Sequence, residues 1–381
     1  MGCFCSTAVD SSPGDRAYEE GDKTYQEYKR IDPSQRSNPE AQALLASATN
    51  SYTFAVNYFR KHKGEMLGTA LVSLASLKWD LYRSATTQMG EKSSEKLEEI
   101  IKLDEEALTL WQARDPKPES YPSLLINLAG AYLERFPTRK ECSDVQEALR
   151  LYRDACECTQ KTSRSYIEAT MQIGVTYWTW YCDPSNITTR TVDQIDNALR
   201  YLMDAHDLCR SAYPDIQCSC LYNLAWIYHH RFEKQRQIVP PNSSEDCLSQ
   251  AIHFYQSTLQ IMSQTDVRYA KALWFVPMLL FHRYERDKRE HDLREAQKWA
   301  RDAFSYTGIT DAEQRLQLQA VRDFDERANA EKTRDVRVAV RRSTLVTFQS
   351  ESSEHSIHSP FIPSILEDNG AGVITNEPQD M

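Results

Sequence analysis

Apolar positions along the chain recur with the period of an α-helix, and that recurrence is itself repeated. Ile100, Ala148, Ala198, Ala251 and Ala296 serve as reference positions, spaced 48, 50, 53 and 45 residues apart. Three residues before each stands Leu97, Val145, Ile195, Leu248 or Leu293. Three after stands Leu103, Leu151, Tyr201, Phe254 or Trp299, and seven after stands Ala107, Ala155, Ala205, Thr258 or Ala303. Such a stripe is one face of an amphipathic helix. Its small residues let a neighbouring helix come close, so Ala148, Ala198 and Ala205 are predicted to be buried between helices. A second helix precedes each stripe, carrying Leu74-Ala75, Leu128-Ala129, Ile173-Gly174, Leu224-Ala225 and Val276-Pro277. Tyr132, Tyr177 and Tyr228 follow the small residue by three. Tyr82, Phe136, Tyr181, Phe232 and Tyr284 follow it by seven. Each unit therefore reads as an antiparallel helix pair, and Pro277 is expected to kink its helix.

Aliphatic-small-x-x-Tyr on a first helix, then two small residues seven apart on a second, resembles the tetratricopeptide repeat. The matching positions are 128, 129, 132, 148 and 155; then 173, 174, 177, 198 and 205; then 224, 225, 228, 251 and Thr258. The spacing exceeds the family's period of about 34 residues because the loops are longer. The resemblance implies an all-α, right-handed α-solenoid of about five helix pairs over residues 66–310. Leu44, Leu45, Ala48, Tyr52, Ala55, Val56 and Phe59 predict a leading helix within 39–65. Leu316, Ala320, Val321, Phe324 and Ala328 predict a charged capping helix within 311–342. Residues 343–381 hold no Lys or Arg, six Asp or Glu and many Ser and Thr, and read as a disordered acidic tail. Arg341-Arg342-Ser343-Thr344 resembles a basophilic-kinase site at Thr344, although a charged helix end explains the same residues.

The N-terminus adds a different kind of signal. Met1-Gly2-Cys3-Phe4-Cys5-Ser6 fits the myristoylation pattern. It also resembles the start of heterotrimeric G-protein α subunits, where a Cys follows the modified Gly. One myristoyl chain gives marginal membrane affinity, about 10⁴ M⁻¹, so a second signal is needed. Residues 7–38 carry five Lys or Arg against seven Asp or Glu and supply no polybasic patch. Palmitoylation of Cys3, Cys5 or both is the remaining candidate. Residues 1–38 read as an acylated, disordered tether to the cytoplasmic face of a membrane, with a cytosolic location as the alternative. No run approaches the roughly 18 apolar residues of a transmembrane helix.

Composition narrows the partners. Lys and Arg total 45 against 55 Asp and Glu, a net charge of −10, which disfavours nucleic acid. Ten cysteines occur without zinc-ligand spacing; they read as thiols of a reducing compartment, most of them packed on helices. No Gly-rich phosphate loop, HExxH, GxSxG or DxDxDG segment is present. The sequence implies neither catalysis nor a cofactor. It implies a scaffold for protein or peptide partners, or alternatively a soluble accessory or chaperone-like component of a metabolic or signalling complex. In arrays of this family the first helix of each pair lines the concave face. Trp178, Tyr222, Trp226 and Trp274 are expected there as an aromatic strip, with Asn127 and Asn223 placed to hold a peptide backbone. Asn127 and Asn223 match the Asn position of the family's carboxylate clamp, while its Lys and Arg positions are unmatched. The same rings could equally serve as inter-repeat core. Arg135, Arg231 and Arg283, each just before the Phe or Tyr of its unit, are expected to bond a helix end.

Overall fold

The computed structural model describes residues 11–324 apart from 32–34, 37, 90–93, 184–190, 210–211, 239–244 and 267, and is all-helical throughout those residues. Two compact units divide it near Thr138 and Arg139, so the span 66–310 is shared between them.

The first unit holds α1 (Pro13–Lys29), α2 (Pro39–His62), α3 (Leu67–Met89), α4 (Ser94–Gln112) and α5 (Tyr121–Arg139). Helix α1 corrects the reading of residues 1–38 as a disordered tether. Ser12 and Asp15 form a reciprocal capping box, and Pro13 opens the first turn. Its buried stripe is Gly14, Gly21, Thr24, Tyr25 and Tyr28, with no aliphatic residue in it. The glycines make room for rings: a Cβ on Gly21 would stand 2.9 Å from Tyr52 Cδ1. Tyr25 donates to Asp80 at 2.5 Å, and Tyr52 donates to Asp22 at 3.3 Å. Helix α2 is the expected leading helix, closed by Lys63 in the left-handed conformation with its N–H on Phe59 O. It pairs with α1, and α3 pairs with α4.

The second unit holds α6 (Cys142–Glu157), α7 (Arg164–Cys182), α8 (Val192–Cys209), α9 (Pro214–Ile238), α10 (Glu245–Ile261), α11 (Tyr269–Asp287), α12 (Glu290–Ser305) and α13 (Ala312–Arg322). Antiparallel pairs form between α7 and α8, α9 and α10, and α11 and α12. The predicted stripes are buried: Val145, Ala148, Leu151 and Ala155 on α6, and Ala198 and Ala205 on α8, are all fully inaccessible. At the α7–α8 crossing the chains nearly touch. A Cβ on Gly174 would lie 2.9 Å from Ala198 O and 2.8 Å from Leu202 Cγ. Thr258 takes the alanine position on α10 by returning its hydroxyl to Phe254 O at 2.7 Å. Helix α11 runs through Pro277 as a single element. Helix α13 ends at Arg322, short of the expected 342. Val321 and Phe324 are buried as predicted, but Leu316 is exposed. Ala328, Thr344 and the 343–381 tail lie outside the described residues, as do Gly2, Cys3 and Cys5.

Candidate partner-binding face

One set of side chains fixes the register of the helices. Arg135 of α5 bonds Glu98 of α4 at 3.1 Å, and Arg231 of α9 reaches Asp196 of α8 at 3.4 Å. Arg283 of α11 reaches Ser249 of α10 at 3.4 Å and clamps Asp292 of α12 at 2.7 and 2.9 Å. Glu98, Asp196 and Ser249 each stand two residues before the reference position of the preceding second helix. The arginines thus bond side chains at one repeated position near the start of a second helix, and Arg283 also reaches Asp292 in the first turn of α12, in keeping with the expected helix-end bond. The repeat tyrosines act similarly. Tyr132 donates to Glu105 at 2.5 Å, and Arg153 donates to Tyr177 at 2.9 Å. Glu105 and Arg153 both follow their reference residue by five. Tyr177 stacks on Tyr201 and Tyr228 on Phe254, both three after the reference.

The proposed aromatic strip is divided. Trp274 is 1% exposed and Trp178 is 8% exposed, so neither ring presents a surface to a ligand. That corrects their reading as groove anchors. Trp274 packs on Phe275 with centroids 4.8 Å apart. Phe275 in turn stacks on Tyr255 at 5.3 Å and meets His229 edge-on at 4.8 Å. Trp178 lies against Tyr181 and takes the edge of His230 at 5.0 Å. Tyr222, Asn223 and Trp226 are half-buried on α9. Tyr222 meets Tyr255 at 6.1 Å beneath the Arg268 guanidinium, 5.4 Å from the ring centre. Trp226 meets Phe275 at 5.7 Å. Asn223 donates its amide to Ser219 O at 2.9 Å. The rings therefore knot α9, α10 and α11 together, and Tyr222, Asn223 and Trp226 keep a partly exposed edge on α9. Asn127 is half-buried on α5, in the other unit.

Two buried acids escape the sequence pattern. Asp104 on α4 is 2% exposed, and burial pushes its carboxyl well above the usual range. Glu168 on α7 is fully buried. Neither of its oxygens finds a hydrogen-bond partner among the described residues, nor do the amide atoms of Gln172 one turn on. Burial pushes Glu168 up to about 8; Arg164 opposes that shift and Asp215 adds to it. Arg164 and Asp215 themselves form an ion pair at 2.5 Å between α7 and α9. The acid and amide set one turn apart in the run 167–175, whose other polar residue is Thr170, were the available signal.

Four cysteines, Cys209, Cys218, Cys220 and Cys247, are buried thiols; Cys142, Cys156 and Cys182 are half-buried and Cys158 is exposed. Burial raises Cys218 to about 11, away from the reactive thiolate. Among the described residues no group of three or more His, Cys, Asp or Glu is placed to hold a metal, and no helix is long and apolar enough to cross a membrane.

No protein-family model matches the sequence, and no curated protein matches it. Among solved structures, the chain is similar to a kinesin light chain-like protein of Podosopora anserina with nearly identical TPR-like repeats. The identity is 14%, the TM-score 0.41, and the match covers 67% of this chain and 100% of that one. It is similar to the S. pombe nuclear import adaptor Nro1 at 10% identity and TM-score 0.36, covering 88% of this chain and 98% of that one. It also resembles a de novo designed helical repeat protein, DHR64, at 12% identity and TM-score 0.15, covering 82% and 96%.

Proposed function

We propose that this chain is a non-catalytic scaffold for protein partners, held at the cytoplasmic face of a membrane by acyl chains on Gly2 and on Cys3, Cys5 or both. The observation that carries the scaffold reading is the recurring register link. Arg135, Arg231 and Arg283 each tie a first helix to the same position of the second helix before it. A repeated link of this kind serves to hold helix pairs side by side and present their faces. The partner face is the edge of Tyr222, Asn223 and Trp226 on α9, supported from behind by Phe275 and Tyr255. Aromatic side chains backed by a packed core are the usual anchors for a helix or extended peptide.

The tether rests on Met1-Gly2-Cys3-Phe4-Cys5-Ser6 and on the arithmetic of one acyl chain against two. Fractionation of cells expressing wild type, Gly2→Ala and Cys3→Ser/Cys5→Ser tests it. Gly2→Ala is expected in the cytosol and the double Cys variant in weak, reversible exchange with membranes. A Gly2→Ala protein that still pellets with membranes would overturn the tether.

A further inference from the structure

The segment that carries the acyl sites leads into α1, and the first turn of α1 lies on the last turns of α2. A Cβ on Gly14 would collide with the Tyr58 ring and stand 2.8 Å from Phe59 Cε1. Basic and aromatic residues cluster at this point of an acidic chain. Phe54 is 53% exposed and stacks on Tyr58 with centroids 6.4 Å apart; Tyr58 lies 4.4 Å from the His62 ring. Arg60, Lys61, His62 and Lys63 follow in sequence, all exposed. Arg60 is paired with Glu106 at 2.5 Å, whereas Lys61 and Lys63 make no ion pair among the described residues. Asp15 accepts the Ser12 N–H in the α1 cap, Glu106 is paired with Arg60, and Glu65 follows Lys63 by two residues. Met66, three residues after Lys63, is 37% exposed.

We infer that the end of α2, formed by Phe54, Tyr58, Lys61, His62 and Lys63, is a second membrane contact that docks on an anionic lipid surface beside the acyl anchor. This inference rests on the tether reading for its geometry. Residues 1–11 span at most about 40 Å when extended, so an anchored tail keeps the α2 end within reach of the headgroups. A net charge of −10 repels an anionic leaflet, so the approach is favoured with the cationic end leading. Aromatic rings beside lysines suit the headgroup boundary, where the rings are half-wet and the ammonium groups meet phosphate. Counting basic residues over 7–38 misses this patch because it lies at 54–63, and the α1–α2 hairpin brings that stretch back to residue 14.

Flotation of the full-length chain on vesicles tests the contact. The unacylated chain is compared on phosphatidylcholine vesicles with and without phosphatidylserine, for wild type, Lys61→Glu/Lys63→Glu, Phe54→Ser and the control Lys102→Glu/Lys298→Glu. All the substituted residues are exposed, so folding is retained, and a thermal midpoint verifies it. About tenfold tighter binding to the serine-lipid vesicles is expected for wild type and the control, lost in Lys61→Glu/Lys63→Glu and weakened in Phe54→Ser. Equal binding to both vesicles, or an equal loss in the control, would overturn the contact; an acidic protein segment covering the patch would give the first of these results. The tether is judged separately by Gly2→Ala fractionation, so either reading can fail while the other stands.

Discussion

In the hairpin of α11 and α12, the first helix buries twelve of its nineteen residues and the second buries five of sixteen. The difference follows from neighbours. Helix α11 is flanked by α10, α12 and α13, so Leu273 through His282 are enclosed on every side. Helix α12 keeps one face in solvent, and its buried Leu293, Ala296, Ala300 and Ala303 trace a single stripe. An outer helix therefore announces its orientation through periodicity, while an inner helix that is apolar all round carries no phase. Aromatic residues on an inner helix mark the core as readily as a binding face, and Trp274 went to the core.

The largest test of this contrast is Trp274→Ala. A fully enclosed indole removed from α11 is expected to cost about 3–5 kcal/mol, read as a shift in the denaturant midpoint. Trp299→Ala, from the half-buried edge of α12, is expected to cost clearly less. Near-wild-type stability for Trp274→Ala would mean that the ring faces a surface in solution, and would restore it to the partner face.

The second test uses the acid on the other enclosed helix. Glu168 sits on α7, where Ile167 through Thr176 are all buried. Its folded value of about 8 lies above the ordinary glutamate value of 4.5. Below about pH 4 both states are protonated, and the site costs nothing through ionisation. Between about pH 4.5 and 8 the unfolded chain releases the proton while the folded chain keeps it, so stability falls as pH rises through that window. Glu168→Gln removes this slope. Relative to wild type it is expected to gain on the order of 3 kcal/mol near pH 8 and little near pH 4, measured as unfolding free energy against pH. Arg164, Asp215 and Tyr152 are the charged or titratable groups acting at the site, and the opposing pull of the arginine is already contained in the folded value of about 8. An unchanged slope would show that Glu168 is ionised and solvated, and that α7 is less enclosed than its neighbours imply.

How much was legible in the sequence follows the same division. The second-helix stripes were read in phase: Ala148, Ala155, Ala198, Ala205, Ala251, Ala296 and Ala303 are all fully buried. The leading helix was placed within three residues of Pro39–His62 at either end. Helix α1 was overlooked because glycine and tyrosine, not aliphatic residues, form its buried stripe, although the Ser12-Pro13-Gly14-Asp15 cap was readable. The burial of the aromatic residues was half-legible. Asn223, Tyr222 and Trp226 keep exposure on α9, but only tertiary contacts distinguish them from Trp178 and Trp274. The α2 patch lies within one stretch, residues 54–63, but only the α1–α2 hairpin sets it beside the segment that leads into α1.

The smallest expected effect concerns the register arginines. Arg231 and Arg283 occupy the same repeat position in different surroundings. Arg231 makes a single contact with Asp196 at 3.4 Å, and both side chains are substantially exposed, 34% and 56%. Such a pair gains little over hydration and holds two long side chains still, so Arg231→Met is expected to change stability by no more than about 0.5 kcal/mol. Arg283 instead clamps Asp292, whose side chain is 3% exposed, with two bonds. Arg283→Met strips the carboxylate of its main partner and is expected to cost about 2 kcal/mol. The ordering discriminates between two roles for the repeated arginine. If it stabilised every unit equally, the two variants would match. If it only sets register, the cost follows burial of the acid, and Arg231→Met is close to neutral in urea unfolding and insensitive to added salt. A cost for Arg231→Met as large as that for Arg283→Met would mean that the Asp196 link is tighter in solution than its 3.4 Å separation indicates.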